Sequence, residues 1–440
     1  MRDDPAVLSL PYDDPLKALV PFLDDPFAVL FDSAAPERGR YSFLCVRPRQ
    51  VLTAGPFDAA DPFARIADAL GPRRPALPGL PPFQGGAAGF FAYDLAHQVE
   101  RLPRHQPDDL GLPAMAVGLF DAVAAWDHQQ KRAWVIGAPA LAAELAATIT
   151  AAPPLAALDW SRQAHFTADL TADAYRARIQ RVIDAIYAGD IFQANLSQRF
   201  TAEMPEGLCP FMLYRRLRSL APAPFAAFLK HDAAALLSMS PERFLRLFPD
   251  GKVETRPIKG TRPRGATPAE DRRLAAELLA SPKDRAENLM IVDLMRNDLS
   301  KVCRLGSVRV PELCSLERFA AVHHLVSSVE GVLADGRGPL DLLRAAFPGG
   351  SITGAPKVRA MEIIAELESV RRGPYCGAIG WIGYDGAMDS SITIRTMTLS
   401  GRKVTAQAGG GIVADSEPQA EYDETLVKAR AMLASLEDER

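Results

Sequence analysis

The carboxyl-terminal segment carries the residues whose types and spacing point most directly to chemistry. Its apolar periodicity predicts a helix, and Ser416 with Gln419 matches the capping-box pattern of a helix start. Glu421, Glu424 and Lys428 fall at i, i+3 and i+7, which places them on one helical face. Two carboxylates on one face can ligate a hard cation, and the lysine beside them can bind an anionic ligand. The alternative is a solvated face with intrahelical ion pairs.

A second carboxylate candidate, Glu287, lies in the segment DRAENLMIVDLMRNDL (284–299). Helical spacing places it on one face with Ile291, Leu294 and Asp298. A carboxylate on this otherwise apolar face must be paired, protonated or metal-bound if it is buried. The alternative is that the helix start leaves Glu287 in water. The metal-bound version favours Mg²⁺, which takes oxygen ligands, keeps several waters and often bridges to an anionic substrate.

Other segments could bind or attack an anionic substrate. The backbone N–H groups of Gly409, Gly410 and Gly411 can approach an oxyanion without side-chain interference, or these glycines can form a flexible turn. Lys259, within PIKGT, is an ordinary exposed lysine unless burial or a cationic neighbour makes it a nucleophile.

Histidine and arginine supply two weaker candidates. His323 and His324 form a pair before an apolar run, and either of them could be structural or catalytic. Arg395, in the predicted strand ITIRT, could bind a carboxylate with its forked guanidinium.

Length and composition limit the class of protein. At about 150 residues per domain, 440 residues suggest two or three units or one large composite. Because 50 Lys and Arg stand against 54 Asp and Glu, a dedicated nucleic-acid binder is disfavoured. No apolar run is long enough to span a membrane. The five cysteines form no CxxC or zinc-ligand spacing, and the start of the chain lacks signal-peptide features, so we expect a reduced, cytoplasmic protein.

The predicted elements must hold these residues in place. Strands come mostly in neighbouring pairs, which favours an α+β fold with antiparallel sheets over a doubly wound sheet. We predict helices at 171–188, 268–279, 284–299, 356–366 and 417–436, and strands at 41–46, 114–125, 191–200, 244–248, 253–258, 378–384 and 391–399.

In this order, the segments resemble the chorismate-utilising enzyme family. The motifs that carry the resemblance are SPERF (240–244), PIKGTRPRG (257–265), AENLMIVDLMRNDL (286–299), HHLVSSVEG (323–331), FPGGSITGAPK (347–357), YCGAIGW (375–381), ITIRT (392–396) and AGGGIVADSEPQAEYDE (408–424). The resemblance implies an anthranilate-synthase-like composite sandwich of antiparallel sheets surrounded by helices. It also implies an amino-terminal region, 1–160, that packs on a chorismate-binding catalytic domain, 161–440.

The resemblance also implies a site. A Mg²⁺ ion that engages one carboxylate of chorismate is expected on Glu287, Glu421 and Glu424. Catalytic roles are expected for Lys259, Glu242 and His324, whereas His323 would pack. The remaining substrate contacts would be Thr261, Thr353, Tyr375, Arg395, Lys428 and the backbone N–H groups of Gly409, Gly410 and Gly411.

Lys259 distinguishes the branches of this family. With a lysine at this position, the sequence resembles the branch that aminates chorismate at C4. That branch makes 4-amino-4-deoxychorismate for 4-aminobenzoate and folate synthesis. In that branch the lysine attacks C2 and Glu242 protonates the leaving 4-hydroxyl. Anthranilate synthases have alanine there, and isochorismate and salicylate synthases place a water-activating lysine where this chain has Gln193. The alternatives are an anthranilate-forming enzyme and a non-catalytic relative that binds chorismate or tryptophan.

Two further expectations concern ammonia and regulation. None of the five cysteines lies in a nucleophile-elbow context, so a separate glutamine amidotransferase subunit would supply ammonia. Relatives hold a tryptophan pocket near the positions of 32–33 and 40–43. Asp32 departs from the LLES pattern of feedback-regulated relatives, which argues against allosteric inhibition.

Overall fold

The computed structural model describes residues 4–35, 39–104, 106–158, 160, 163–318 and 322–437. Within these residues the chain forms two antiparallel sheets, of twelve and ten strands, and ten α-helices. The predicted α+β class with antiparallel sheets is therefore confirmed. All five predicted helices are present, with ends that differ by a few residues from the expected ones.

The strands, in chain order, are β1 (Ala6–Leu10), β2 (Phe27–Asp32), β3 (Tyr41–Val46), β4 (Gln50–Ala54), β5 (Gly86–Phe91), β6 (Met115–Phe120), β7 (Ala122–Asp127), β8 (Arg132–Gly137), β9 (Thr167–Ala168), β10 (Gln193–Glu203), β11 (Phe225–His231), β12 (Ala234–Ser240), β13 (Arg243–Leu247), β14 (Lys252–Thr255), β15 (Ile258–Pro263), β16 (Arg309–Arg318), β17 (Val322–Val332), β18 (Gly354–Ala355), β19 (Ala378–Gly383), β20 (Met388–Ile392), β21 (Thr396–Ser400) and β22 (Lys403–Ile412). The helices are α1 (Pro15–Leu19), α2 (Pro62–Leu70), α3 (Pro139–Thr150), α4 (Ala172–Tyr187), α5 (Pro210–Leu220), α6 (Pro268–Ala280), α7 (Pro282–Ser300), α8 (Pro339–Ala346), α9 (Lys357–Leu367) and α10 (Pro418–Ala434). Short 3-10 turns cover Val20–Phe22, Tyr93–Gln98 and Gly350–Ile352.

Both sheets combine early and late parts of the chain. The larger sheet has the order β1-β8-β7-β3-β2-β11-β12-β21-β22-β10-β18, with β9 beside β10. The smaller has the order β15-β17-β14-β13-β20-β19-β5-β6-β4, with β16 beside β17. The pairings β2 with β11 and β5 with β19 join residues from either side of position 160. The proposed amino-terminal region therefore shares both sheets with the rest of the chain.

An apolar core lies between the two sheets. Phe43 and Leu236 of the larger sheet pack in one cluster with Phe90 and Trp381 of the smaller sheet. Helices cover the outer faces, where α7 and α8 contribute to one cluster and α5 and α10 to another. The molecule is thus a helix–sheet–sheet–helix sandwich.

Two predicted strands prove to be pairs of strands that belong to different sheets. The run 114–125 divides into β6 of the smaller sheet and β7 of the larger. The run 391–399 divides into β20 of the smaller sheet and β21 of the larger. Both runs are apolar, and hydrophobicity alone cannot distinguish one buried strand from two that cross between layers.

The expected capping box at the start of α10 is wrong. Glu417 is the N-cap residue, and its side chain forms no capping hydrogen bond. The Ser416 hydroxyl instead donates to Glu421 Oε1 at 2.6 Å and accepts from the Val413 backbone N–H at 3.1 Å. Ser416 therefore orients a candidate metal ligand. In the part of the chain that the structure describes, no helix is both long and apolar enough to cross a bilayer.

Candidate active site

The centre of the candidate site is where the chain crosses twice between the two sheets. Glu242 lies between β12 of the larger sheet and β13 of the smaller one, and Arg395 lies between β20 and β21. The crossings run side by side: Ile392 N–H donates to Glu242 O at 3.1 Å, and Met239 N–H donates to Arg395 O at 3.0 Å. Residues far apart in sequence are thereby brought into one cleft.

Arg395 is not in a strand, contrary to the sequence prediction. Its φ of 52° lies in the left-handed region, which bulky side chains rarely adopt, and this turn redirects the chain into the second sheet. Among the described residues, none forms a hydrogen bond or an ion pair with its half-buried guanidinium. Burial lowers the pKa of Arg395, against the opposing effects of Tyr375, Glu424 and Glu242. The site thus contains a desolvated cation suited to a substrate carboxylate.

Glu242 is buried, with 7% of its surface exposed. Burial raises the pKa of its carboxyl, against the charge of Lys259 and a hydrogen bond from Ser351. The Ser351 hydroxyl donates to Glu242 Oε1 at 3.0 Å. Glu242 is therefore a carboxyl that retains its proton at a higher pH than usual, as a general acid requires.

Lys259 lies on β15, opposite Leu325 of β17. No hydrogen bond or ion pair joins its side chain to another described residue, yet its charge acts on Glu242, Glu287 and Glu424. The Lys259 charge therefore opposes the effect of burial on the pKa of all three carboxyl groups.

The neighbouring histidines have different surroundings. Thr261 Oγ1 lies 2.9 Å from His324 Nδ1, and both side chains are at least partly exposed. His323 is fully buried, and its Nε2 lies 2.9 Å from Asp271 Oδ1. This supports the expectation that His323 packs whereas His324 is accessible.

Helix α10 brings two carboxylates to β22. Its buried face sits on the sheet, where Gln198 Nε2 donates to Thr425 Oγ1 at 2.5 Å. A Cβ atom on Gly410 would lie 3.0 Å from Glu421 Oε2 and 3.8 Å from Glu424 Oε1. Glycine at this position leaves space for both carboxylates over the strand. The shared helical face inferred from the sequence is confirmed.

The third carboxylate, Glu287, comes from α7. Burial raises the pKa of Glu287, with the charges of Lys259 and Lys283 acting against this effect. Burial likewise raises the pKa of Glu421, even though Ser416 donates a hydrogen bond to it. Burial alone would raise the pKa of Glu424 too, but the ion pair with Lys428 prevails and lowers it.

The glycines of β22 present two N–H groups to the cleft, not three. The N–H of Asn195 donates to Thr353 O and that of Ser197 to Glu368 Oε1, so both point away from β22. Asn195 is opposite Gly411, and Ser197 is opposite Gly409, so both are non-hydrogen-bonded pairs of the β10–β22 ladder. The N–H groups of Gly411 and Gly409 therefore point away from β10. Gly410 pairs with Leu196, so its N–H belongs to the ladder. The predicted anion contact of Gly410 is corrected accordingly.

Lys428, Thr353 and Tyr375 complete the predicted set. Lys428 Nζ lies 2.5 Å from Glu424 Oε1 and donates to Gly409 O at 2.9 Å. The buried Thr353 hydroxyl donates to Gly349 O at 2.9 Å. Burial raises the pKa of Tyr375 well above its usual value, so that its phenol stays protonated and can donate a hydrogen bond.

The sequence interpretation missed two contributors to this site and gave a third no role in it. Ser351 contacts Glu242, and Lys283 Nζ lies 3.7 Å from Glu421 Oε1. Gln193, noted above for the lysine that relatives carry there, is buried against Gly411, and its Oε1 has no hydrogen-bond partner. Of the two missed residues, only Lys283 had a sequence signal, because it precedes Glu287 by four residues and so lies on the same helical face.

The donor chemistry of the acidic cluster fits Mg²⁺. The three candidates supply only carboxylate oxygens. The absence of a side chain at Gly410 leaves space for the carboxylates of Glu421 and Glu424 over the strand. An ammonium, that of Lys283, already lies beside Glu421 where a cation is expected. Across the described ranges, no three acidic, histidine or cysteine side chains stand in a preformed metal-binding arrangement. Metal binding by these glutamates stays a prediction.

A separate cavity of about 450 Å³ lies between the sheets, and none of the predicted catalytic residues lines it. Its walls include Asp32, Ser33, Arg40 and Phe43, which are the positions expected for a tryptophan pocket. Asp32 accepts hydrogen bonds from Arg218 Nε at 2.6 Å and from a tyrosine hydroxyl, so its charge is already neutralised. The cavity is where the resemblance places it, while its occupant stays a prediction.

The fold and the site together define a chorismate-utilising enzyme. The family model described as chorismate binding enzyme matches residues 27–434, so the chain belongs to this family. The chain is 44% identical to aminodeoxychorismate synthase component 1 of Klebsiella aerogenes, over 98% of this chain and 99% of that protein. It is 43% identical to anthranilate synthase component 1 of Thermus thermophilus, over 94% of this chain and 92% of that protein.

The same family relationship appears in the fold. The crystal structure of anthranilate synthase component I from Streptococcus pneumoniae superimposes with a TM-score of 0.82 at 32% identity. The match covers 90% of this chain and 92% of that one. The expected anthranilate-synthase-like sandwich is confirmed.

Proposed function

We propose that this enzyme converts chorismate and ammonia to 4-amino-4-deoxychorismate. The observation that carries the proposal is the buried carboxyl of Glu242, whose pKa is raised by burial against the charge of Lys259. Overall similarity does not select this activity, because relatives at 44% and 43% identity carry different names. Lys259 favours it, since anthranilate synthases resemble this sequence closely but have alanine at that position.

One proton transfer would create both reactive groups. When the Lys259 ammonium gives a proton to the Glu242 carboxylate, the pair becomes a neutral amine and a neutral acid. The amine is then a nucleophile and the acid a proton donor. Burial of Glu242 favours this state, because it penalises the charged carboxylate.

In the first step the Lys259 nitrogen forms a bond to C2 of the ring. The two conjugated ring double bonds shift, the C4–O bond breaks, and the leaving 4-hydroxyl takes the Glu242 proton and departs as water. In the second step ammonia forms a bond to C4, the two double bonds shift back, and the C2–N bond breaks to release the lysine amine. The ammonium group formed at C4 returns a proton to Glu242, which restores the acid for the next turnover. Two displacements of this kind replace one difficult substitution.

The remaining residues would hold the two carboxylates of the substrate. Arg395 offers a cation without an ion-pair partner among the described residues, and the N–H groups of Gly409 and Gly411 point away from β10. Tyr375 and Lys428 add donors, and Thr353 adds a hydroxyl. Thr261 and His324 form a hydrogen-bonded pair, and we assign no separate proton transfer to His324.

Glu287, Glu421 and Glu424 would hold Mg²⁺. When bound, the ion would supply positive charge to one substrate carboxylate. Ser416 orients Glu421 for this role, and α10 keeps Glu424 one turn further along the helix.

A separate glutamine amidotransferase subunit would supply ammonia. A glutaminase needs a cysteine whose pKa is lowered. Burial instead raises the pKa of Cys45 well above its usual range, of Cys303 to about 11 and of Cys376 to about 12. The name of the Klebsiella relative, a component 1, supports a two-component enzyme.

Product identity tests the proposed function. With chorismate, Mg²⁺ and an ammonium salt, we expect 4-amino-4-deoxychorismate to accumulate and no anthranilate fluorescence to develop. Adding a lyase that removes pyruvate from this product should then release 4-aminobenzoate, which chromatography detects.

The two alternatives predict other outcomes. Anthranilate formed without any lyase would identify an anthranilate synthase, which the 43% identical Thermus relative makes the leading alternative. Tight chorismate binding without turnover would identify a non-catalytic relative. Retention of Lys259, Glu242 and the three glutamates argues against the latter, because binding alone does not require a nucleophile paired with an acid.

Ser351 tunes the general acid, and its removal should shift the pH dependence. Its hydrogen bond stabilises the ionised Glu242 and opposes the effect of burial on the pKa. In Ser351→Ala this pKa should rise further, so the decline of kcat on acidification should begin at a higher pH. Steady-state rates over a pH series measure this shift. Ser351→Thr keeps the hydroxyl and should retain the wild-type profile; an unmoved profile in Ser351→Ala would contradict the role.

A further inference from the structure

We propose that Lys283 is a built-in counter-ion of the carboxylate cluster and is displaced when a divalent cation binds. The inference rests on the Mg²⁺ site proposed above. It assigns to Lys283 the control of metal affinity, a role separate from the chemistry at Lys259.

The position of Lys283 links the two helices that supply the metal ligands. Lys283 is the second residue of α7, one turn before Glu287, and its Nζ reaches across to Glu421 Oε1 of α10 at 3.7 Å. Its charge also acts on Glu287 and Glu424. A single ammonium therefore lies beside one expected ligand and opposes the effect of burial on the pKa of the other two.

The carboxylates of the cluster have cationic neighbours without a metal. The ammonium groups of Lys259, Lys283 and Lys428 act on the carboxylates of Glu287, Glu421 and Glu424. Without these cations, like charges in a partly buried site would repel one another strongly. A divalent cation adds two positive charges, and the departure of one ammonium offsets one of them.

Of the two lysines that form ion pairs with these carboxylates, Lys283 is the better able to leave. Lys428 is held by Glu424 at 2.5 Å and by Gly409 O at 2.9 Å. Lys283 has only the contact at 3.7 Å, too long for a hydrogen bond, and 45% of its side chain is exposed. Its flexible stem can move the charge into water at little cost, because exposed ion pairs contribute little.

The variant Lys283→Met tests this role through metal binding alone. Isothermal titration of the full chain with MgCl₂, without chorismate, measures the affinity directly. Loss of the competing ammonium should tighten Mg²⁺ binding by about tenfold. Arg285→Met is the matched control, because Arg285 is exposed on the same helix. Its removal lowers the local charge equally but removes no counter-ion from the three glutamates. The Mg²⁺ affinity should therefore change by less than about twofold.

The possible results separate this inference from the proposed function. Equal or weaker Mg²⁺ binding by Lys283→Met, or equal tightening by Arg285→Met, would overturn the role of Lys283. Glu424→Gln should lose the binding heat if the titration reports this cluster; retained heat would also overturn the inference. Because no substrate is present, the amination site on chorismate does not affect the outcome.

Discussion

Replacing Lys259 by alanine is expected to abolish formation of 4-amino-4-deoxychorismate, with kcat falling by about 10³-fold or more. The physical reason is that the amine of Lys259 is the proposed nucleophile. Any remaining amination should be redirected to C2, the position where ammonia could then attack directly. Product chromatography from chorismate, Mg²⁺ and an ammonium salt measures both outcomes.

Lys259→Arg separates the covalent role from the charge. A guanidinium preserves the positive charge near Glu242 but stays protonated and cannot attack carbon. This variant should bind chorismate and remain inactive. In the wild-type enzyme, mass spectrometry after acid quench should detect Lys259 carrying the mass of chorismate less one water. Undiminished amination by either variant would remove the covalent step from the mechanism.

Replacing Glu242 by glutamine should lower kcat by about 10²- to 10⁴-fold, because the amide keeps the size of the side chain but cannot donate the proton. The pH dependence provides a second measurement. The reactive pair shares one proton, so below the pKa of Glu242, which burial raises, the pair holds two protons and the Lys259 amine cannot attack. Wild-type kcat should therefore fall as pH drops through this pKa, and the glutamine variant should lack this decline.

Glu254→Gln is the matched control for Glu242. Glu254 lies on the neighbouring strand β14, is half-buried and pairs with Arg243 at 3.5 Å, outside the proposed chemistry. The same chemical change there should alter kcat by less than about twofold. Equal losses in both variants would indicate a general structural effect rather than loss of the acid.

Local periodicity was enough to predict the helix that carries Glu421, Glu424 and Lys428, since residues three and four apart share a face in any helix. It was insufficient at Ser416, where the capping pattern was present but the hydroxyl bonds to Glu421 instead. A capping box requires a particular backbone entry into the helix. That entry is set by the packing of β22 under α10.

The glycines of β22 show a similar division. Their composition predicted close approach of an anion to the backbone. Which N–H groups are available depends on the register with β10, because ladder partners alternate along an antiparallel pair. Register is set by contacts between distant segments, so it could not be read from AGGGIV.

By itself, the sequence determined the kind of protein: the helices, the antiparallel α+β class, the motifs of the chorismate-binding family and the carboxylate face of α10. Only the tertiary structure decided how the site is assembled. Glu242 and Arg395 meet because two chain crossings between the sheets lie side by side, and Lys283 reaches Glu421 because α7 and α10 converge. The physical reason is that spacing along the chain governs contacts within one element, whereas charges on different elements meet only where the packing of the sheets and helices brings them together.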